Sequence, residues 1–237
     1  MVAVSDPGAG VKTSPATAGQ LAALGIYNLS NGARIKFVNL GVLRPGMMHF
    51  ANDITIDPQG NAYVTDSFSP IIYKVDVNGN ASILFEDERF ATQAGEFGFN
   101  GIAYHPSGYL IVAFSKENKL FKFPVTNPAA YSEVQLNTTL MSPDGLLLSN
   151  NGNQLIVVNN AGGVMPGKVM SFKSEDTWTT GTLNTTYETG VVFPTTATAY
   201  KKEIFVVYAY LNRLFSGAAP VTEFSIQKVP FAGNMNF

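Results

Sequence analysis

The chain has no cysteine among its 237 residues. That excludes a disulfide framework and any thiolate-held metal, but it does not fix a compartment. Histidine is nearly as scarce, with only His49 and His105, so a Ser-His-Asp triad or a His-built metal centre has little to draw on. Charged residues are 14% of the chain and the formal net charge is −2. A nucleic-acid surface needs concentrated Lys and Arg to displace counterions, so no nucleic-acid partner is expected. No apolar run approaches the roughly 18 residues of a membrane span. The opening stretch MVAVSDPGAGVKTSPATAG has neither the apolar core nor the cleavage pattern of a signal peptide.

What the chain does have is aromatic and apolar residues, with 46% hydrophobic, 17 Phe and 10 Tyr. That composition suits strands and apolar pockets better than a helical bundle, and strong helix signals are missing throughout. The length allows one large domain or two small ones. Four N-x-Ser/Thr sequons, at Asn28, Asn80, Asn137 and Asn184, keep a glycosylated, secreted or extracytoplasmic chain open as one alternative. The compartment is otherwise unknown.

A unit of about 45 residues recurs along the sequence. Asn52 begins NDITIDPQGNAYVTD, Asn100 begins NGIAYHPSGYLIVAF, and Asp144 begins DGLLLSNNGNQLIVVN; a looser copy, TTATAYKKEIFVVYA, begins at Thr195. Each copy has a polar residue, an apolar strand, a turn, and a second strand rich in Val, Ile or aromatics. Outer strands follow, such as IIYKVDV and ASILFED, LFKFPV and SEVQLN, or KVMSFKS and a Thr-rich run. The period is that of the four-stranded blades of a β-propeller. The expectation is an all-β, six-bladed type of propeller, incomplete, with about four and a half to five blades in a single domain over 1–237. The blades would run 1–45 (partial), 46–93, 94–138, 139–188 and 189–237 (partial). A β-sandwich is the rival, but it does not require the polar residue always in one place.

In a propeller the first strand of each blade lines the central channel. Asn52, Asn100, Asp144 and Thr195 would then converge there, all carrying the oxygen donors that a hard cation such as Ca²⁺ prefers. The competing account is that Asn and Asp merely cap turns before strands. His49, in MMHFAND, is a candidate for the pocket mouth, and His105, in the HPSG turn, reads as structural. Asp53 and Asp66 are candidates for supporting carboxylates, and Thr195 and Thr196 place hydroxyls at the axis. The run from Asp76 to Asp87 lacks Gly at its sixth position and Glu at its twelfth, so it reads as a hairpin turn and not a calcium loop. GGVMPG, residues 162–167, is expected as a mobile loop over the pocket.

FANDITIDPQGNAYVTDS, FNGIAYHPSG and SPDGLLLSNNG resemble the gluconolactonase and senescence-marker-protein-like superfamily, which also includes luciferin-regenerating enzymes. LAALGIYNLSNGARIKF and FPTTAT look closest to its calcium-dependent phosphotriesterase-like branch. The resemblance implies a six-bladed propeller with one divalent metal in the channel. By motif position it implies Asn52, Asn100 and Asp144 as ligands, with Asp144 also the nucleophile or base. The family's first-blade Glu, in a Glu-Gly/Ser-x-x-Trp stretch, has no counterpart, and the only Trp, Trp178, lies far downstream. Strand counting likewise finds no inner strand before MVAVSD. A propeller lacking its N-terminal blade is therefore expected, completed by a missing N-terminal segment or by self-association.

Together these features suggest a metal-dependent hydrolase of lactone, ester or phosphotriester bonds. Its expected substrate is a small, apolar molecule. The alternatives are a non-catalytic propeller binding a small ligand or protein partner, and a strictosidine-synthase-like enzyme.

Overall fold

The computed structural model describes residues 1–10 and 12–231; the blade expected over 189–237 runs past them. Among these residues it is all-β, with one five-residue α-helix and short 3-10 turns, and its strands form five sheets, a five-blade β-propeller arrangement. The chain divides into two compact units, Met1–Ile102 and Ala103–Phe237.

In the first unit, β1 (Val2–Ser5), β2 (Ala22–Tyr27) and β3 (Arg34–Asn39) form one antiparallel sheet. The next sheet comprises β4 (Ala51–Ile56), β5 (Ala62–Asp66), β6 (Ile71–Val75) and β7 (Ala81–Glu86) in sequence order. A third begins with β8 (Phe99–His105), whose residues span the division, and continues with β9 (Tyr109–Phe114), β10 (Lys119–Pro124) and β11 (Ser132–Glu133). The second unit then adds β12 (Gln135–Leu136), β13 (Pro143–Leu148), β14 (Gln154–Asn159), β15 (Gly167–Lys173) and β16 (Thr180–Gly190). It ends with β17 (Pro194–Tyr200), β18 (Glu203–Tyr208), the helix α1 (Leu211–Phe215) and β19 (Ser225–Val229).

The second strand of each full sheet is the most buried. Every residue of AYVTD, YLIVAF and QLIVVN is buried, as a near-continuous apolar run requires when both faces are covered. Hairpin turns fix the register. Asp57 accepts from the backbone N–H of Gln59 and Asn61, and Asp76 accepts from Asn78 and Asn80 in the same way. The Asp76 run is thus a hairpin turn, with Gly79 at φ +78 where a side chain would be strained.

Each unit has apolar clusters of its own. Leu24, Leu40, Val64, Ile71 and Tyr73 centre the first core. In the second unit Ile111, Leu155, Val157, Phe172 and Trp178 form one cluster, and Ile156, Val158, Val169 and Val206 another. Trp178 is fully buried and donates from Nε1 to the Gly152 carbonyl at 2.6 Å. It precedes β16 and serves as core.

The outer segment SEVQLN is not one strand. Ser132–Glu133 pairs antiparallel with β10, and Gln135–Leu136 pairs parallel with β16. Val134 between them is buried, with its N–H on Leu120 O. The segment hands over from one sheet to the next because its middle side chain enters the core.

Candidate functional site

Asn52, Asn100, Asp144 and Thr195 are each the second residue of an inner strand, β4, β8, β13 and β17. In three of these strands the pairing slips at that point. Ala51 pairs with Asp66, and the next pair is Ile54 with Val64. The register likewise jumps between Pro143 and Leu146, and between Pro194 and Ala197. Asn52-Asp53, Asp144-Gly145 and Thr195-Thr196 therefore occupy bulges. A bulge frees its residues from the ladder and re-aims their side chains.

In the first unit, β5 supports this arrangement. Ser67 Oγ donates its single proton to the Phe99 carbonyl at 2.6 Å. It can then only accept from Asn52, whose Nδ2 is 2.8 Å away. The amide is thereby fixed, with Nδ2 on the serine and Oδ1 facing the other way. Thr65 Oγ1 donates to the Asn100 carbonyl at 2.6 Å, tying β5 to β8 one residue further along. Asn100 itself is buried. Asp53 accepts from Ile54 N at 2.8 Å and from Ile102 N at 3.2 Å. Burial pushes its carboxyl up to about 6, against the lowering effect of those two N–H groups.

The second unit repeats the device. Ser115 Oγ donates to the Pro143 carbonyl at 2.6 Å, immediately before Asp144. Asn160 Nδ2 donates to Asp144 Oδ2 at 2.8 Å, and its Oδ1 accepts from Gly162 N. Asp144 is half-buried. Thr195 and Thr196 lie against its neighbour Gly145, where an added Cβ would come within 2.5 Å of Thr196 Oγ1 and 2.7 Å of the Thr195 carbonyl.

Sequence reasoning missed Thr65, Ser67, Ser115 and Asn160. The signal was their spacing, because Ser67 follows Asn52 by 15 residues and Asn160 follows Asp144 by 16. The residues just past β5, β9 and β14 each hold an inner strand by a side-chain hydrogen bond.

His49 has a structural environment. It is 2% exposed, with Nε2 2.9 Å from the Arg44 carbonyl and Nδ1 2.8 Å from Asp66 Oδ2. A carbonyl only accepts, so Nε2 carries a proton. The Asp66 carboxylate beside Nδ1 then favours a second proton there and the imidazolium form. Burial opposes the charge, but Asp66 and the Arg44 carbonyl outweigh it and the His49 pKa is raised. Asp66 also accepts from Phe50 N, Phe68 N, Ser69 N and Tyr73 OH. It is fully buried and organises the end of β5. His105 is buried and stacked on Tyr109 at 4.2 Å, and its Nδ1 accepts from Ser107 N.

A cavity of about 300 Å³ in the second unit is lined by Met141, Asn159, Ala161, Pro166, Lys168 and Thr186, among others. Pro166 belongs to GGVMPG, whose Gly162 and Gly163, with Ala161 just before them, have positive φ. Among the described residues, no three His, Cys, Asp or Glu side chains group so as to hold a metal.

No protein-family model matches the chain, and no curated protein matches it. Solved structures do. The major allergen Mala s 1 of Malassezia sympodialis superposes with a TM-score of 0.66 at 20% identity, over 90% of this chain and 69% of that one. Virginiamycin B lyase from Staphylococcus aureus gives 0.54 at 16%, over 91% and 64%. A luciferin-regenerating enzyme gives 0.57 at 14%, over 85% and 69%. The chain thus spans about two thirds of the length of these structures. At such identities the likeness concerns architecture, and the chain shares the β-propeller fold of all three.

Proposed function

We propose that this chain is a metal-assisted hydrolase of lactone, ester or phosphotriester bonds, related to the gluconolactonase-like superfamily, with Asn52, Asn100 and Asp144 as ligands of a divalent cation such as Ca²⁺. The observation that carries the reading is the locked amide of Asn52, whose oxygen is turned away from Ser67 because the serine proton is already committed to Phe99. A side chain fixed with its acceptor outward is a prepared oxygen ligand. Two neutral amides and one carboxylate suit a hard cation. The motif resemblance and the fold shared with a luciferin-regenerating enzyme point the same way.

When bound, the cation would polarise the carbonyl or phosphoryl oxygen and acidify a water molecule. The chain's own residues do the rest. Asn160 holds Asp144 by Oδ2, which orients the carboxylate to take the proton of the attacking water or to attack directly. Thr195 and Thr196, packed on Gly145, would orient that water.

The test is turnover of a lactone and aryl-ester panel with added Ca²⁺, in wild type and in Asp144→Asn. A loss of about 100-fold or more in the variant is expected for a missing general base. Equal turnover in both, or none in either, overturns the proposal. A second reading, a non-catalytic propeller that binds a small ligand, is favoured by the single carboxylate in the proposed ligand set and the lack of an acidic or histidine cluster among the described residues. It predicts a protein inert to the whole panel.

A further inference from the structure

The cavity of about 300 Å³ in the second unit includes none of the inner-strand residues proposed as cation ligands. Its lining comes from the segment before β13, the end of β14 with the turn after it, and the neighbouring strands β15 and β16. Hydrogen bonds tie these parts together. Leu183 N donates to Asn137 Oδ1 at 2.8 Å, and Asn137 N donates to the Gly181 carbonyl at 3.3 Å, which fastens the segment carrying Thr138 and Thr139 to β16. Met141 N donates to Asn159 Oδ1 at 3.0 Å, and Ala161 N donates to the Met141 carbonyl at 3.2 Å, which fastens the other end of that segment to β14 and its turn. Met170 and Thr186 are paired across the β15–β16 ladder. The hollow is framed without a ligand, so binding needs little ordering of the chain.

The lining divides by exposure and by chemistry. Ala161 and Met170 are buried and Leu183 is half-buried, giving an apolar floor, whereas Thr139, Met141 and Thr186 are exposed and mark the mouth. The Asn159 amide serves the wall, with Oδ1 on Met141 N and Nδ2 on the Val157 carbonyl at 3.3 Å. Of the lining residues Lys168 alone is charged, and no carboxylate is among them. Its ammonium stands 3.6 Å from Glu188 Oε1, on a side chain that is 68% exposed. An ion pair so open to water is weak, so a carboxylate entering the cavity can take over the ammonium. Thr138, Thr139 and Thr186 add hydroxyl donors to the lining. A cation and hydroxyls beside an apolar floor match an anion with an apolar body, and the volume, at the small end for ligand pockets, requires a small one.

We infer that this cavity binds a small aliphatic carboxylate, with its head at Lys168 and its chain on Met170 and Leu183. The inference does not depend on the proposed hydrolase reading, because no cation ligand takes part. The probes are hexanoate, its neutral analogue hexanamide, and acetate, each titrated into the full chain and followed by NMR. Hexanoate should bind wild type at least fivefold more tightly than either of the others, with shift changes centred on residues 138–141, 159–168 and 183–186. Lys168→Met keeps the aliphatic stem and should bring hexanoate down to the level of hexanamide. Lys168→Gln is the second variant, and urea melts identify which of the two folds. Glu188→Gln removes a nearby charge but frees the ammonium, and should bind hexanoate at least as tightly as wild type. Equal binding of the three probes, shift changes centred elsewhere, or the wild-type preference in a folded Lys168 variant overturns the site. So does a loss in Glu188→Gln as large as that in Lys168→Met.

Discussion

Carboxylates in this chain show how far surroundings outweigh residue type. Asp57 and Asp76 accept several turn N–H groups and have lowered pKa values, although burial opposes this at Asp57. Asp176 is held at about 2, chiefly by Thr180. Asp53 goes the other way, because burial pushes it up to about 6 and two N–H groups do not compensate. A carboxyl whose folded pKa exceeds its unfolded value favours the native state only while protonated. Its contribution is whole below about pH 4 and is lost as the pH rises through about 6. Asp53→Asn removes the penalty for ionisation. The variant should be more stable than wild type by roughly 1–3 kcal/mol at pH 7.5, with the gap narrowing towards pH 4. Urea melts at the two values check this; a gap independent of pH would show that Asp53 is not the titrating group. Asp53 was visible in the sequence as one half of Asn-Asp. Its raised pKa was not, because it comes from burial in the folded chain, which overrides the N–H groups of Ile54 and Ile102.

At the scale of elements, the inner strands were legible because their alternation and turn residues repeat. The bulges within them were not. Nothing in NDITI, DGLLL or TTATA marks an extra residue, since a bulge depends on the partner strand's register and not on local composition. The bulges explain why Gly follows Asp144. Gly145 does not need an unusual φ. It needs to lack a side chain, because a Cβ there would sit 2.7 Å from the Thr195 carbonyl, a backbone atom that cannot swing aside. Gly145→Ala should therefore push β13 away from β17, costing about 1–3 kcal/mol as an overpacked core substitution does. It should also lower any Asp144-dependent turnover. Denaturant melts and ester turnover check this together, and wild-type values in both would mean that the strands need not approach so closely. SEVQLN misled for a related reason. Its division between two sheets follows from the burial of Val134, which a six-residue alternating pattern cannot distinguish from an ordinary outer strand.

For the whole molecule, the repeat carried the propeller into view, and the five sheets realise it. Convergence of the polar residues was read from the fold type and the resemblance, and it has a consequence that needs no substrate. A cation that binds only the native chain stabilises it by mass action, about 2.7 kcal/mol at a hundred times its Kd. For a chain of this length that corresponds to a rise of roughly 5–10 °C in melting temperature. Surface charge cannot imitate such a shift, because the net charge is only −2 and added salt screens exposed pairs such as Arg44–Glu86 without site selectivity. Millimolar Ca²⁺ should therefore raise the melting temperature of wild type, EDTA should reverse the rise, and Asp144→Asn and Asn52→Ala should each diminish it. If the melting temperature is the same in Ca²⁺ and EDTA, or if the variants respond as wild type does, Asn52 and Asp144 hold no cation and their anchoring by Ser67 and Asn160 serves the fold alone.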